Sequence, residues 1–237
     1  MRRWIIPAGA ALLAVLAALV WFGFIPLNHP SQPVRGVDVS HYQGDIDWPV
    51  LAGQAGIQFA YIKATEGSAS VDERFAENWV SAREAGLRVG AYHFFSYDSP
   101  GASQAAHFIE VVPVEPETLP PVIDVEFYGR YDRSPTPAEA VLPELRAMAD
   151  ALERHFGRAP VIYCTDKTYR LYIEGNFGDC GIWIRSVYAP PRAPRDWVFW
   201  QYSNRARLKG YSGRESYIDM NVFYGDQAAF DAYAQTP

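Results

Sequence analysis

Cysteine is nearly absent from this chain, with only Cys164 and Cys180 among 237 residues. No Cys-x-x-Cys, His-Glu-x-x-His or phosphate-loop pattern occurs. The usual sequence grounds for a zinc, redox or nucleotide site are therefore missing, and neither a cofactor nor a metal is expected. An excess of positive charge is missing too. Lys and Arg number 21 against 27 Asp and Glu, a net charge of −6 with no basic patch, so nucleic acid is not an expected partner. No internal repeat is found. One stretch, Trp4 to Val34, has no Lys, Arg, Asp or Glu at all.

Within that uncharged stretch, Ala8 to Leu27 is an apolar run of 20 residues, the length that crosses ~30 Å of hydrocarbon. A secretory signal usually has a shorter apolar region and a small-x-small cleavage site. Here the run ends in bulky Val20-Trp21-Phe22-Gly23-Phe24-Ile25-Pro26. Trp4 and Trp21 lie near its ends, as interfacial aromatics do. Residues 1–27 thus read as an uncleaved transmembrane helix anchoring the chain, with a cleaved signal peptide as the alternative. Arg2 and Arg3, kept on the cytoplasmic side, would send the rest across the membrane. Residues 28–33 form a short Pro-stiffened linker, and 34–237 hold one sizeable domain.

Aromatic residues make up 15% of the chain, including 7 Trp and 15 Tyr, a content that suits a filled core or sugar stacking alike. Beyond the linker the pattern alternates. Val34–Ser40 reads as a strand, and Asp47-Trp48-Pro49 opens a short helix with Asp as N-cap. Ile57–Lys63 is the next strand, and Asp72 is placed to cap a helix carrying Phe75, Trp79 and Ala82. Strand Leu87–Phe95, helix Gly101–Val112 and a strand at Val122–Val125 follow. Pro137–Phe156 is the longest helix, with an apolar stripe of Leu142, Leu145, Met148, Ala149 and Leu152, before strand Ala159–Cys164. Gly181–Val187, Trp197–Tyr202 and Tyr217–Phe223 are then strands with little helix between them. Five β/α units followed by three strands predict an α/β fold of irregular TIM-like barrel type with a parallel core.

Polar residues punctuate the strand ends: Asp38, Lys63, His93, Asp124, Glu126, Tyr163, Gln201 and Asp219. In a barrel those ends converge on one mouth, where chemistry is placed. Asp124 and Glu126 are two apart, so an extended backbone turns both to one face and Val125 to the other. A close acid pair in a buried strand is costly unless one member is protonated or the site uses both. One carboxyl as acid and one as carboxylate is the arrangement that glycoside hydrolysis needs.

These residues resemble the glycoside hydrolase family 25 lysozymes, the Chalaropsis-type N-acetylmuramidases. The likeness is carried by Gly36-Val37-Asp38-Val39-Ser40-His41-Tyr42-Gln43-Gly44 and by Phe59-Ala60-Tyr61-Ile62-Lys63-Ala64-Thr65-Glu66-Gly67. It continues through Ala85–Phe94, Pro121–Glu126, Trp200-Gln201-Tyr202-Ser203 and Tyr217-Ile218-Asp219-Met220-Asn221. The resemblance implies a peptidoglycan hydrolase cleaving the β-1,4 bond between N-acetylmuramic acid and N-acetylglucosamine. By motif, Glu126 matches the general acid and Asp124 the carboxylate that stabilises the intermediate, with participation of the substrate's own acetamido group. Asp38 and Asp219 match two further catalytic acids. Trp183-Ile184-Arg185-Ser186 departs from the Trp-x-Ala pattern more usual in the family.

For substrate binding the sequence offers Tyr61, Tyr163, Trp200 and Gln201, although core packing accounts for each aromatic equally well. His93 is either a site residue or a histidine satisfied inside the barrel. The cysteines are compatible with a disulfide in an exported domain or with two free thiols. The implied partner is the peptidoglycan glycan strand, met by a monomer anchored in the membrane with its catalytic domain on the periplasmic or cell-wall side, or secreted after cleavage. Two alternatives are weighed. A glycan-binding module on the same barrel would not need the four acids that are present. A family 18 chitinase would need acids where Leu119 and Val122 stand.

Overall fold

Side-chain parity along the strands sets the architecture. The structure, a computed structural model, describes residues 5–235 except Gly23, Phe24, Pro26, Ala55 and Arg195. Its strands are β1 (Arg35–Val39), β2 (Ile57–Glu66), the two-residue β3 (Ser70–Val71), β4 (Arg88–Phe94), β5 (Val122–Val125), β6 (Val161–Thr165), β7 (Gly181–Arg185), β8 (Phe199–Ala206) and β9 (Ile218–Phe223). Neighbours run in the order β1-β9-β8-β7-β6-β5-β4-β2, and β1 pairs with β2 to close an eight-stranded α/β barrel. Pairing is parallel from β1 through β2 to β8, whereas β9 is antiparallel to both β8 and β1. β3 folds back on the end of β2 as a short hairpin.

The helices are α1 (Ile5–Trp21), α2 (Trp48–Ala52), α3 (Phe75–Glu84), α4 (Gly101–Val111), α5 (Ala138–Phe156), α6 (Asp166–Thr168) and α7 (Gln227–Gln235). Five β/α units lead into three strands, the arrangement read from the sequence. Asp47 caps α2 by accepting from the Val50 N–H at 3.1 Å. Asp72 does not cap α3 as expected. Arg74 precedes that helix, and the Asp72 carboxylate instead accepts from the backbone N–H groups of Arg74 and His41.

Two apolar layers follow from the parity. Inward residues Phe59, Tyr61, Val122, Val161, Trp183, Phe199 and Phe223 fill the barrel, and Phe230 of α7 packs beneath them. Outward residues Ile62, Ala91, Ile123, Val125, Ile162 and Ile184 pack under Trp79, Phe108, Leu145, Met148 and Leu152. Large rings fit inside so narrow a barrel because small residues face them. A Cβ at Gly36 would overlap the Phe59 ring, and one at Gly90 would overlap Tyr61.

The transmembrane helix expected over residues 1–27 is not supported. Among the described residues no helix is long and apolar enough to cross a membrane. α1 has 17 residues, about 25 Å at 1.5 Å per residue, short of the hydrocarbon thickness. The segment after it returns to the barrel: Arg205 and Arg207 donate to the carbonyls of Trp21 and Phe22. Arg2, Arg3 and Trp4, invoked above for orientation and anchoring, lie outside the described residues. Asn28, at the start of the expected linker, is buried and donates to the carbonyls of Tyr202 (3.0 Å) and Ser186 (3.2 Å). Cys164 and Cys180 are both buried free thiols.

Candidate active site

The C-terminal ends of the parallel strands open into a cavity of about 470 Å³. Asp38, Asp124, Glu126 and Asp219 all line it, with Tyr163 and Gln201. Each reaches it by parity. Val122, Asp124 and Glu126 face in while Val125 packs outward, and the same alternation turns Tyr163, Gln201 and Asp38 inward.

On the β1–β9–β8 side the acids are tied by amides. Asp38 and Asp219 are paired across the β1–β9 ladder. Asn221 donates to Asp38 Oδ2 at 2.7 Å, and Gln201 Nε2 donates to the same atom at 3.0 Å and to Asp219 Oδ2 at 3.2 Å. Trp183 Nε1 donates to Asn221 Oδ1 at 2.8 Å, and Tyr163 donates to Gln201 Oε1 at 3.0 Å, so both amides have one orientation. Burial pushes Asp38 and Asp219 above the ordinary carboxylate range, and the charge of Asp38 pushes Asp219 well above it. Donors from Asn221 and Gln201 oppose that rise at Asp38, so Asp219 is the more strongly raised of the two.

Across the cavity the β5 acids are less supported. Asp124 is 7% exposed, and its Oδ1 is buried without a hydrogen-bond partner among the described residues. Burial, and then the charge of Glu126, pushes Asp124 well above the carboxylate range. Burial also raises Glu126, against the opposing field of the Arg185 guanidinium. Behind Glu126 stands a block of rings that fixes its backbone. Tyr97 donates to the Glu126 carbonyl at 3.3 Å and stacks on Phe127 and Tyr128.

Three expected site residues lie elsewhere. His93 is fully buried on the outward side of β4, between Tyr92 and Phe94, which line the cavity. Its ring nitrogens meet Thr65 Oγ1 at 2.7 Å and Gln104 Oε1 at 3.0 Å, and Phe108 of α4 packs edge-on against it. Trp200 has the same outward parity, since its neighbour Gln201 points in, and it packs with Trp197 and Tyr202 while donating to the Ser186 carbonyl. Tyr61 faces inward but one layer too deep, fully buried beneath Trp183, with its hydroxyl on the Pro120 carbonyl.

Other lining residues were not singled out from the sequence. Tyr42, 53% exposed, and Tyr217 stand on the rim, and Arg185 ends β7 two residues after Trp183. Parity alone would have found Arg185. Tyr42 and Tyr217 lie outside the strands that carry the acids, where no period applies.

Comparison with known proteins agrees with this fold. Residues 37–211 match the family described as Glycosyl hydrolases family 25. A solved family 25 glycosyl hydrolase from Bacillus anthracis superposes with a TM-score of 0.83 at 49% identity, covering 89% of this chain and 98% of that one. The bacterial lysozyme from Streptomyces coelicolor gives a TM-score of 0.76 at 32% identity, over 87% of this chain and 99% of that one. Lysozyme M1 from Streptomyces globisporus is 36% identical over 216 residues, 85% of this chain and 71% of the relative.

Proposed function

The chain belongs to glycosyl hydrolase family 25 and is a peptidoglycan-cleaving glycoside hydrolase, and on that premise we propose that it is a muramidase with Glu126 as general acid. The bond cut is the β-1,4 link between N-acetylmuramic acid and N-acetylglucosamine. Asp124 stabilises the sugar intermediate by orienting the substrate's acetamido group.

One observation carries this assignment. Asp124 presents a buried, unpartnered oxygen beside Glu126, whose carboxyl makes no hydrogen bond to another described residue. A buried acceptor without a donor is costly, and an acetamido N–H supplies that donor. The same contact bears on where the proton sits. Among the chain's own groups Asp124 is pushed up more strongly than Glu126, the reverse of what an acid at Glu126 requires. A donated N–H favours ionised Asp124, and the proton of the coupled pair then sits on Glu126, facing the leaving oxygen. Asp38 and Asp219, held by Gln201 and Asn221, complete an acidic wall opposite. Tyr163 and Gln201 floor the sugar site, and Tyr42 and Tyr217 offer rim faces for stacking.

We place this chemistry outside the cytoplasm, where peptidoglycan lies, with residues 1–27 as the segment that delivers the domain there. The test compares the full chain with its Glu126→Gln variant on purified peptidoglycan, reading borohydride-reduced products by mass spectrometry. The wild type should yield reduced N-acetylmuramic acid at new ends, and the variant should be at least about 100-fold slower. Binding of glycan by both, with cleavage by neither, would make the barrel a binding module.

A further inference from the structure

Three cations line the catalytic cavity: Lys63, Arg185 and Arg205. Two of them are committed. Lys63 Nζ lies 2.7 Å from Glu66 Oε2 and over the Phe94 ring. Arg205 donates to the Trp21 carbonyl and stacks on that residue's indole. Arg185 is different. It projects from the end of β7, two residues beyond inward-facing Trp183, into a cavity lined by five carboxylates, those of Asp38, Asp124, Glu126, Glu215 and Asp219. Yet none of those carboxylates comes within ion-pair distance, and Arg185 makes no hydrogen bond to any described residue. The acids have other partners or none, Asp38 and Asp219 through Gln201 and Asn221.

A half-buried guanidinium with no donor committed to a described residue is a preorganised fork for a planar anion. Its surroundings argue against a free phosphate or another multiply charged ion, because five carboxylates line the same cavity against three cations. A single carboxylate attached to a neutral sugar fits better. The sugar is held by the hydrogen-bonding and aromatic residues of the floor, and one charge is neutralised at Arg185.

We propose that Arg185 is a specificity-determining residue that binds a carboxylate carried by the glycan strand next to the scissile bond, so that the enzyme prefers acidic strands over neutral ones. This rests on the muramidase reading above. That carboxylate has two sources in peptidoglycan: the lactyl ether of a muramic acid free of peptide, or the stem peptide.

Four preparations separate these possibilities: strands bearing stem peptides, strands stripped of them, and each of the two with its carboxylates converted to neutral methylamides. Full-length wild type, Arg185→Ala and Arg185→Lys are assayed on all four for kcat and KM. Wild type should favour the charged form over its amide by about tenfold in kcat/KM, expressed in KM, as one charge-assisted hydrogen-bonded pair supplies. In Arg185→Ala that ratio should fall to near one, and Arg185→Lys should keep part of it. A preference seen only on stripped strands assigns the lactyl carboxylate, and one seen only on peptide-bearing strands assigns the stem.

An unchanged ratio in Arg185→Ala overturns the proposal. So does a loss confined to kcat and equal on all four substrates, which would mark Arg185 as acting only through its field on the acids. Should the wild type cut no strand, the muramidase reading fails on its own. Calorimetric Kd values for a muramic-acid-containing disaccharide and its methylamide, on wild type and Arg185→Ala, then decide the carboxylate contact by the same ratio.

Discussion

The acid role proposed for Glu126 sets function against stability. Burial raises the Glu126 carboxyl above its ordinary range, so the folded chain holds that proton more tightly than the unfolded chain does. Below the unfolded carboxylate pKa of about 4 both states are protonated and the fold bears no penalty. As pH rises through the window up to the folded value, the unfolded state ionises first and stability is lost. Glu126→Gln keeps the shape and removes the titration. It should therefore raise stability at pH 7 by about 1 kcal/mol, or about 2–4 °C in a chain of this size. Scanning calorimetry at pH 7 and near pH 4 checks the sign, because the gain should shrink at the lower pH. An equal gain at both values would trace it to packing instead. His93 works in the other direction. Burial lowers it from 6.5 to about 4, so its contribution is intact above 6.5 and is lost as pH falls towards 4. A His93→Gln variant should flatten the acid side of the stability–pH curve, which spans on the order of 3 kcal/mol by linkage. A slope unchanged in that variant would assign the acid limb to other groups.

Elements are joined here by close backbone approach, and one glycine shows the cost. α4 begins at Gly101, whose N–H donates to Glu144 Oε2 of α5 at 2.7 Å, and a Cβ there would overlap the Glu144 backbone. Gly101→Ala should cost about 1–3 kcal/mol by forcing α4 off α5. A denaturant midpoint within error of wild type would contradict that. The strand elements were the most legible part of the chain, because their period of two survives as inward and outward layers. It placed Asp38, Asp124, Glu126, Tyr163, Gln201 and Asp219 at the mouth. For His93 and Trp200 the sequence leaves site and core open, and the parity of their neighbours decides for the outward layer. Tyr92 and Phe94 face the cavity, so His93 between them cannot. Tyr61 had the right parity, but depth along the barrel depends on register between strands, which no single strand encodes. α7 was missed, since its apolar anchors, Phe230 and Ala234, are too few to form a visible stripe.

For the molecule as a whole, the question is how the barrel depends on the apolar segment that precedes it. α1 leaves Leu12, Leu13, Val15 and Leu16 exposed, and near its C-terminal end the Trp21 and Phe22 carbonyls accept from Arg205 of β8, Arg207 and Tyr217. Contacts at an exposed helix end contribute about 1 kcal/mol or less each. The fold therefore draws little from the segment before Leu27. Asn28 is the point at which the chain becomes part of the barrel. Its amide satisfies the carbonyl of Tyr202 and shares that of Ser186 with Trp200 Nε1. A chain starting at Asn28 should unfold within about 1 kcal/mol of full length and cleave peptidoglycan at a similar kcat. One starting at Pro33 leaves the Tyr202 carbonyl buried without that donor, and should lose about 1–3 kcal/mol. Thermal unfolding of the two truncations decides the matter. If both melt with full length, Asn28 is not part of the fold. If both fall well below it, α1 is a structural element of the barrel and not only a means of delivering it.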